Sequence, residues 1–280
     1  MQRQRIGIIG LGLMGGSLSL ALKKTSKDYH FVGLDHNKKH CKEALSLGLV
    51  NEVVHNLDEI KTCDIIFLTI PVDGIIEIAQ KLSPLKPYCT VIDLGSSKEK
   101  ISLIIPEEIR KNFVTAHPMT GTEKFGPGAA ISKLYQDKIV VLCDIQKSGK
   151  YQQDIAKELF TTIGMKLIYM NAKEHDRHAA FISHMPHAIS YALANSVIQQ
   201  EDSSSIVALA AGGFKDMSRI AKSSPDMWED IFRQNKKNLL EAIYTFENEL
   251  KKCRKMLENG EWSALNKWMK NANTLHNILD

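Results

Sequence analysis

The sequence predicts an α/β domain built on a parallel sheet over residues 1–170, followed by an all-helical domain over residues 171–280. Three observations carry this. Short β-branched runs alternate with stretches of helical periodicity as far as Met170, the pattern of βαβ units. Beyond Met170 no strand-like run occurs. At 280 residues the chain is long for one domain and sufficient for two.

Strands are expected at Ile6–Gly10, Phe31–Asp35, Ile65–Ile70, Thr90–Leu94, Phe113–His117, Ile139–Asp144 and Lys166–Met170. Several are apolar throughout, as strands covered on both faces are. The intervening stretches Met14–Lys24, Lys38–Leu47, Gly74–Leu82, Lys98–Ile104 and Tyr151–Ile163 carry apolar residues at helical spacing. Pro71, Pro84, Pro87 and Pro118 fall at element ends, where proline is tolerated. The second half reads as helices near 172–200, 205–221, 226–257 and 261–278. Its apolar, small-residue surface around Ala179–Ser196 suits close helix packing and suggests a homodimer formed through this half.

Composition removes several classes of function. With 44% hydrophobic and 24% charged residues the chain is neither disordered nor fibrous. The net charge of +4 lies wholly in residues 1–170, because residues 171–280 hold 14 basic and 14 acidic side chains. No concentrated basic face marks a nucleic-acid partner. The five cysteines, Cys41, Cys63, Cys89, Cys143 and Cys253, are odd in number and form no CxxC, which fits free thiols in a cytoplasmic protein. Ile6–Leu22 is an uncharged run of 17 residues, but it contains Gly7, Gly10, Gly12, Gly15 and Gly16 and falls short of the roughly 20 apolar residues of a membrane span. No membrane association is expected.

Those glycines have another use. Gly10-Leu-Gly12-Leu13-Met14-Gly15 fits GxGxxG, placed between the first strand and the first helix. In that setting the first glycine permits the tight turn, the second lets a pyrophosphate approach the backbone, and the third allows close helix–strand packing. The helix N–H groups then face the phosphates. Asp35 follows 20 residues after Gly15 at the end of the second strand, where a carboxylate accepts the ribose hydroxyls and repels a 2′-phosphate. The first domain is thus expected to be a Rossmann-type fold binding NAD in preference to NADP, with His36, Lys38 and Lys39 the features that pull the other way.

In open α/β sheets the substrate meets the cofactor at the carboxyl ends of the strands. Two strands end there in polar residues, one before Ser96 and one at His117. An imidazole at His117 could take a proton from a substrate alcohol as hydride leaves it, and Ser96 could bond the same hydroxyl or the nicotinamide amide. His175, His178, His184 and His187 crowd 13 residues, yet on one helix the outer pair is about 18 Å apart, too far to share a metal ion. No metal is expected. Ser183 and His187, four apart, share a helix face. Arg219 could hold a carboxylate in two-pronged fashion with Asp216 orienting it, and Trp228 is read first as a core or interface aromatic.

Together these blocks resemble the prephenate and arogenate dehydrogenases of tyrosine biosynthesis over essentially the whole chain. The resemblance rests on GLGLMGGSLSLAL from Gly10, LGSSK around Ser96, HPMTGTEKFGPGAA from His117, HDRHAAFISHMPHAIS from His175 and GGFKDMSRIAKSSPDMW through Trp228. It implies that His117 is the base acting on the ring hydroxyl and that Ser96 assists it near the nicotinamide. It also implies that Thr122, Glu123, Ser183, His187 and Arg219 surround the substrate, Arg219 on a carboxylate, with Asp216 and Trp228 shaping the pocket. Thr120 stands where an alanine is common in that family. Prephenate is expected over arogenate, because His187 and Arg219 suit a keto acid better than an ammonium group. A hydroxyacid dehydrogenase with a similar glycine loop is the competing enzyme, but its helix lysine has no counterpart after Asn171. A non-catalytic NAD-binding regulator is opposed by the joint presence of His117, Ser96 and Arg219.

Overall fold

The structure, a computed structural model, describes residues 3–279. Its strands are β1 (Gln4–Ile9), β2 (Tyr29–Leu34), β3 (Glu52–Val53), β4 (Ile65–Leu68), β5 (Thr90–Asp93), β6 (Phe113–Pro118), β7 (Ile139–Cys143) and β8 (Lys166–Met170). They form one sheet in the order β3-β2-β1-β4-β5-β6-β7-β8. From β3 to β6 every pairing is parallel, and the order reverses between β1 and β4, next to the glycine loop. That reversal is where open α/β sheets bind ligands.

Alternation along each strand divides the core between the two faces of the sheet. Ile65 and Phe67 enter one apolar cluster with Ile6, Ile8 and Phe31, while Ile66 and Leu68 enter the other with Ile9, Val32 and Val91. Both faces are therefore dry, and the expected apolar strands follow from it.

The sheet departs from the all-parallel expectation at one place. β7 pairs antiparallel to β6, and β8 runs parallel to β7. A parallel return needs a crossover element, and the β6–β7 connection holds only the single turn Pro127–Ala129. The helix Lys150–Thr162 then supplies the crossover from β7 to β8. The two-residue strand β3 and the one-turn helices Leu57–Ile60 and Glu107–Arg110 were too short to show as periodic segments.

The long helices expected after residue 171 are broken at identifiable residues. The first runs Ala172–Ala179, passes through a π-helical turn at Ala180–His184, and resumes as Met185–Ile198. Pro186 has no N–H to donate, and the π turn, with Met185 N–H reaching back to the Ala180 carbonyl, accommodates it. The second divides into Ser203–Ala208, Gly212–Ser218 and a 3-10 turn at Arg219–Lys222. The third stops at Asn235, giving Pro225–Gln234 and Lys236–Glu258, and the fourth gives Trp262–Asn273 and His276–Leu279.

By packing, the chain divides into a unit through Asn235 and a unit from Lys236 onward. Residues 171–235 therefore share a compact body with the sheet. Polar contacts fasten them there: the Asp144 carboxylate accepts the Ala172 N–H at 3.2 Å, and the Asp176 carboxylate accepts the N–H groups of Lys98 and Glu99 at 2.7 and 2.9 Å. The second unit is helical and leaves Leu240, Tyr244, Leu250, Leu257 and Trp262 at least half exposed.

Candidate active site

The first part of the site is the loop after β1. Gly10 has φ +98°, and a Cβ there would lie 2.6 Å from the Thr69 carbonyl oxygen. A Cβ on Gly15 would lie 2.2 Å from the Gly10 carbonyl oxygen and 2.7 Å from Thr69 Oγ1. Around Gly12 the space is open, with nothing within 4 Å of a built Cβ. Two glycines thus close the turn against β4, and the middle one leaves a vacant approach to the first N–H groups of the helix Leu13–Lys23. This is the cradle that a pyrophosphate requires. Leu13 and Met14 turn their side chains into the core, so only their backbone faces that approach.

Asp35 lies just beyond β2 with its carboxylate nearly enclosed. One oxygen accepts the Leu11 N–H and the other the Asn37 N–H, both at 2.8 Å. Asp35 therefore braces the glycine loop as well as placing negative charge at the β2 end. His36 and His40 lie 3.4 and 3.6 Å from its two oxygens.

These shapes define a test. Gly15→Ala forces backbone apart and is expected to lower stability by about 1–3 kcal/mol and to weaken NAD binding at least tenfold. Gly12→Ala should keep stability within about 0.5 kcal/mol and still weaken NAD, because its methyl occupies only the ligand's space. Calorimetric titration with NAD beside a urea melt separates the two; equal NAD affinity in Gly12→Ala and the unsubstituted chain would remove the cradle assignment.

The second part gathers at the carboxyl ends of β5 and β6. Asp93 and Lys98 form an ion pair with both side chains fully buried, and Lys98 Nζ also donates to the Ala116 carbonyl at 2.8 Å. Asp93 accepts the Gly95 N–H at 3.0 Å. The segment between them is thereby fixed, with Ser97 buried and Ser96 half-buried at its apex. Ala116 immediately precedes His117, so the same lysine ties the Ser96 loop to the strand that carries the histidine.

His117 is half-buried, and its Nδ1 lies 2.8 Å from Nε2 of His175. His175 Nδ1 in turn lies 2.8 Å from Asp176 Oδ1. Enclosure by the fold, followed by the neighbouring His175, Lys98 and His184, holds the His117 pKa well below the ordinary histidine value. The ring is neutral and able to accept a proton. Sequence reasoning missed His175 and Asp176: it placed them in a histidine cluster examined for metal and assigned them no role.

A further string of contacts leads outward. Asn235 Nδ2 donates to the Asp176 carbonyl at 2.6 Å and lies 3.1 Å from His184 Nδ1. His184 is buried, which pushes its pKa down to about 4. Trp228 meets His184 edge-on and stacks on His187 with ring centroids 3.4 Å apart and planes 21° apart. His187 Nδ1 donates to the Ser183 carbonyl at 2.9 Å, and burial, despite that bond, lowers its pKa, with the charge of Arg219 adding to the shift.

Ser183, His187, Trp228 and Arg219 are thus brought together around the π turn. Arg219 is exposed, and among the described residues its guanidinium has no hydrogen-bond or ion-pair partner. Asp216, expected to orient Arg219, makes no hydrogen bond or ion pair with it; both side chains face solvent, on the last turn of the helix Gly212–Ser218 and the first residue of the 3-10 turn. Thr122 and Glu123 sit half-buried in the β6–β7 connection, Thr122 Oγ1 accepting the Lys124 N–H at 3.2 Å. That connection is anchored on the first helix by Ile131 N–H to Ser17 Oγ and by Tyr135 O–H to the Met14 carbonyl, each 2.8 Å.

Comparison with known proteins agrees over the full length. The family model described as prephenate dehydrogenase, nucleotide-binding domain, matches residues 18–169, and that described as its dimerization domain matches 171–271. Prephenate dehydrogenase of Bacillus subtilis is 31% identical, the match covering 96% of this chain and 74% of that protein. Cyclohexadienyl dehydrogenase of Zymomonas mobilis is also 31% identical, over 90% of this chain and 87% of that one. Among solved structures, prephenate dehydrogenase of Aquifex aeolicus in complex with hydroxyphenyl propionate and NAD+ superposes with a TM-score of 0.92 at 32% identity, covering 100% of this chain and 99% of that one. Synechocystis arogenate dehydrogenase gives 0.81 at 26% identity, covering 99% and 100%. A glycine cradle at the sheet's point of reversal, a neutral histidine at the end of β6 on the same edge of the sheet, and both domain models in order place the conclusion beyond fold alone: the chain belongs to the prephenate dehydrogenase family.

Proposed function

We propose that the chain is an NAD-dependent prephenate dehydrogenase of tyrosine biosynthesis that oxidatively decarboxylates prephenate to 4-hydroxyphenylpyruvate. The observation that carries this reading is the neutral, half-buried His117 at the end of β6, on the cofactor edge of the sheet. Residues 1–170 act as the nucleotide domain, and residues 171–280 as a domain for substrate and for homodimer formation in the cytoplasm. The exposed apolar side chains of the last helices support the dimer.

Bound NAD supplies the hydride acceptor. The chain's own residues do the rest. His117 accepts the proton of the ring hydroxyl as hydride leaves C4. The ring carboxylate departs as CO2, its electron pair aromatising the ring and ending on the oxygen, and His117 returns the proton to that oxygen. No net proton is released. A free base with a depressed pKa suits a doubly negative substrate, because two arriving carboxylates raise the proton affinity of a nearby imidazole. Ser96 bonds the reacting hydroxyl or the nicotinamide amide from the loop fixed by Lys98.

Arg219, whose guanidinium has no hydrogen-bond or ion-pair partner among the described residues, takes the side-chain carboxylate, while Ser183 and His187 line the pocket beside it. Trp228 holds the His187 ring by stacking, Thr122 and Glu123 border the site from the β6–β7 connection, and Asp216 adds charge at the rim. Prephenate is preferred because Arg219 and the His187 ring complement an oxo-acid side chain. The deciding experiment follows reduced nicotinamide by absorbance with prephenate and with arogenate. A higher kcat/KM on prephenate is expected; turnover of neither substrate would end the functional reading, and preference for arogenate would reverse the substrate choice.

A further inference from the structure

The line His117, His175, Asp176 has a polarity that hydrogen-bond chemistry determines. Asp176 is buried, and its Oδ1 meets both the Lys98 N–H and His175 Nδ1, while its Oδ2 meets the Glu99 N–H. Backbone N–H groups only donate, and an ionised carboxylate only accepts. His175 Nδ1 therefore carries a hydrogen. In its uncharged form that ring has a bare Nε2, which must accept. Its neighbour at 2.8 Å is His117 Nδ1, so that nitrogen donates and the hydrogen of a neutral His117 is on Nδ1. The remaining nitrogen, Nε2, is left with a free lone pair.

We propose that His175 and Asp176 are positioning residues of the reaction, locking His117 in the tautomer that presents a bare Nε2 to the substrate hydroxyl. This deepens the assignment of His117 as the base and rests on it. The opposite tautomer would place a hydrogen where the substrate proton must go. The same line stabilises the charged state: once Nε2 has taken the proton, the His117 cation donates through Nδ1 to His175, whose other end rests on the Asp176 carboxylate. Proton return to the product oxygen restores the starting arrangement, so neither His175 nor Asp176 undergoes net change.

The geometry also explains a sequence feature. His175 and Asp176 sit in the helix Ala172–Ala179 from the second half of the chain, while the backbone donors that orient Asp176 come from the segment following Ser96. The tautomer is thus set by the docking of residues 171–235 on the sheet.

The test uses the full chain with 15N-labelled histidine, the His117 signals being identified by their loss in His117→Asn. In the unsubstituted protein His117 should show a protonated Nδ1 and a bare Nε2. In Asp176→Asn the amide oxygen replaces only one carboxylate oxygen; at Oδ1 it still receives the Lys98 N–H and the His175 Nδ1 hydrogen and leaves only the Glu99 N–H against the NH2 group, so His117 keeps its bare Nε2 while the negative charge behind the line is lost, and kcat falls about tenfold or more with NAD affinity kept. Where Asp176→Asn does not fold, His175 decides: His175→Gln retains an acceptor for His117 Nδ1 and should exceed His175→Leu in kcat at least tenfold. A hydrogen on Nε2 in the unsubstituted protein overturns the proposal, as does Asp176→Asn at full kcat or equal kcat in the two His175 variants. An inactive unsubstituted chain would overturn the functional reading instead, since the NMR assignment needs no turnover.

Discussion

Replacing His117 by asparagine lowers kcat by about 10²–10⁴-fold, the share of rate that a positioned base supplies. Asparagine is the informative choice because its amide can still donate towards His175 Nε2, which would otherwise be left without its partner at 2.8 Å. The loss is then one of proton acceptance, and NAD affinity and the urea midpoint should stay near those of the unsubstituted chain. The pH profile gives a second readout. His117 is held below the ordinary histidine range by burial, then by His175, Lys98 and His184. A depressed pKa keeps the ring neutral to lower pH, so the acid limb of kcat/KM belongs below that range, and it should disappear in His117→Asn. Near-normal turnover by the variant would show that the substrate hydroxyl loses its proton elsewhere.

How much of this could be read from the chain depends on how local each feature is. The glycine cradle is written within six consecutive residues, and Gly10, Gly12 and Gly15 meet the distinct steric demands that their spacing implies. His117 and Ser96 were recognisable as polar residues ending buried strands. The His117–His175 contact was not, because it joins residues 58 apart whose meeting depends on how the helix Ala172–Ala179 docks. A buried Asp next to a His carries no periodic signal of its own. The breaks in the long helices lie between these cases: Pro186 and the Gly212-Gly213 pair are visible interruptions, whereas the stop at Asn235 depends on its side chain bonding Asp176 and His184. The reversed direction of β7 goes with a connection between Pro118 and Ile139 that holds only the turn Pro127–Ala129, where a parallel return is usually made through a helix.

Lys98→Met should be the most destabilising substitution near the site, costing about 3–5 kcal/mol by stranding a buried carboxylate. Lys98 and Asp93 are both fully enclosed, and the lysine also holds the Ala116 carbonyl one residue before His117. Burial raises the Asp93 pKa even with the lysine opposing it, and removing Lys98 raises it further. A carboxyl whose folded pKa exceeds its unfolded value binds more protons when folded, so its contribution declines as pH rises through that window. The urea midpoint of Lys98→Met is therefore expected to approach that of the unsubstituted chain as pH falls, with an unchanged m value. Asp93→Asn/Lys98→Met should recover most of the loss at neutral pH, since it removes the stranded charge. Catalysis should respond separately. Lys98 is one of the groups that lower the His117 pKa, so its loss shifts the acid limb of kcat/KM upward, and the double substitution should retain that shift while regaining stability. A double variant that recovered stability and left the limb unmoved would mean that Lys98 serves only the fold, and that the charge tuning of His117 comes from the histidines alone.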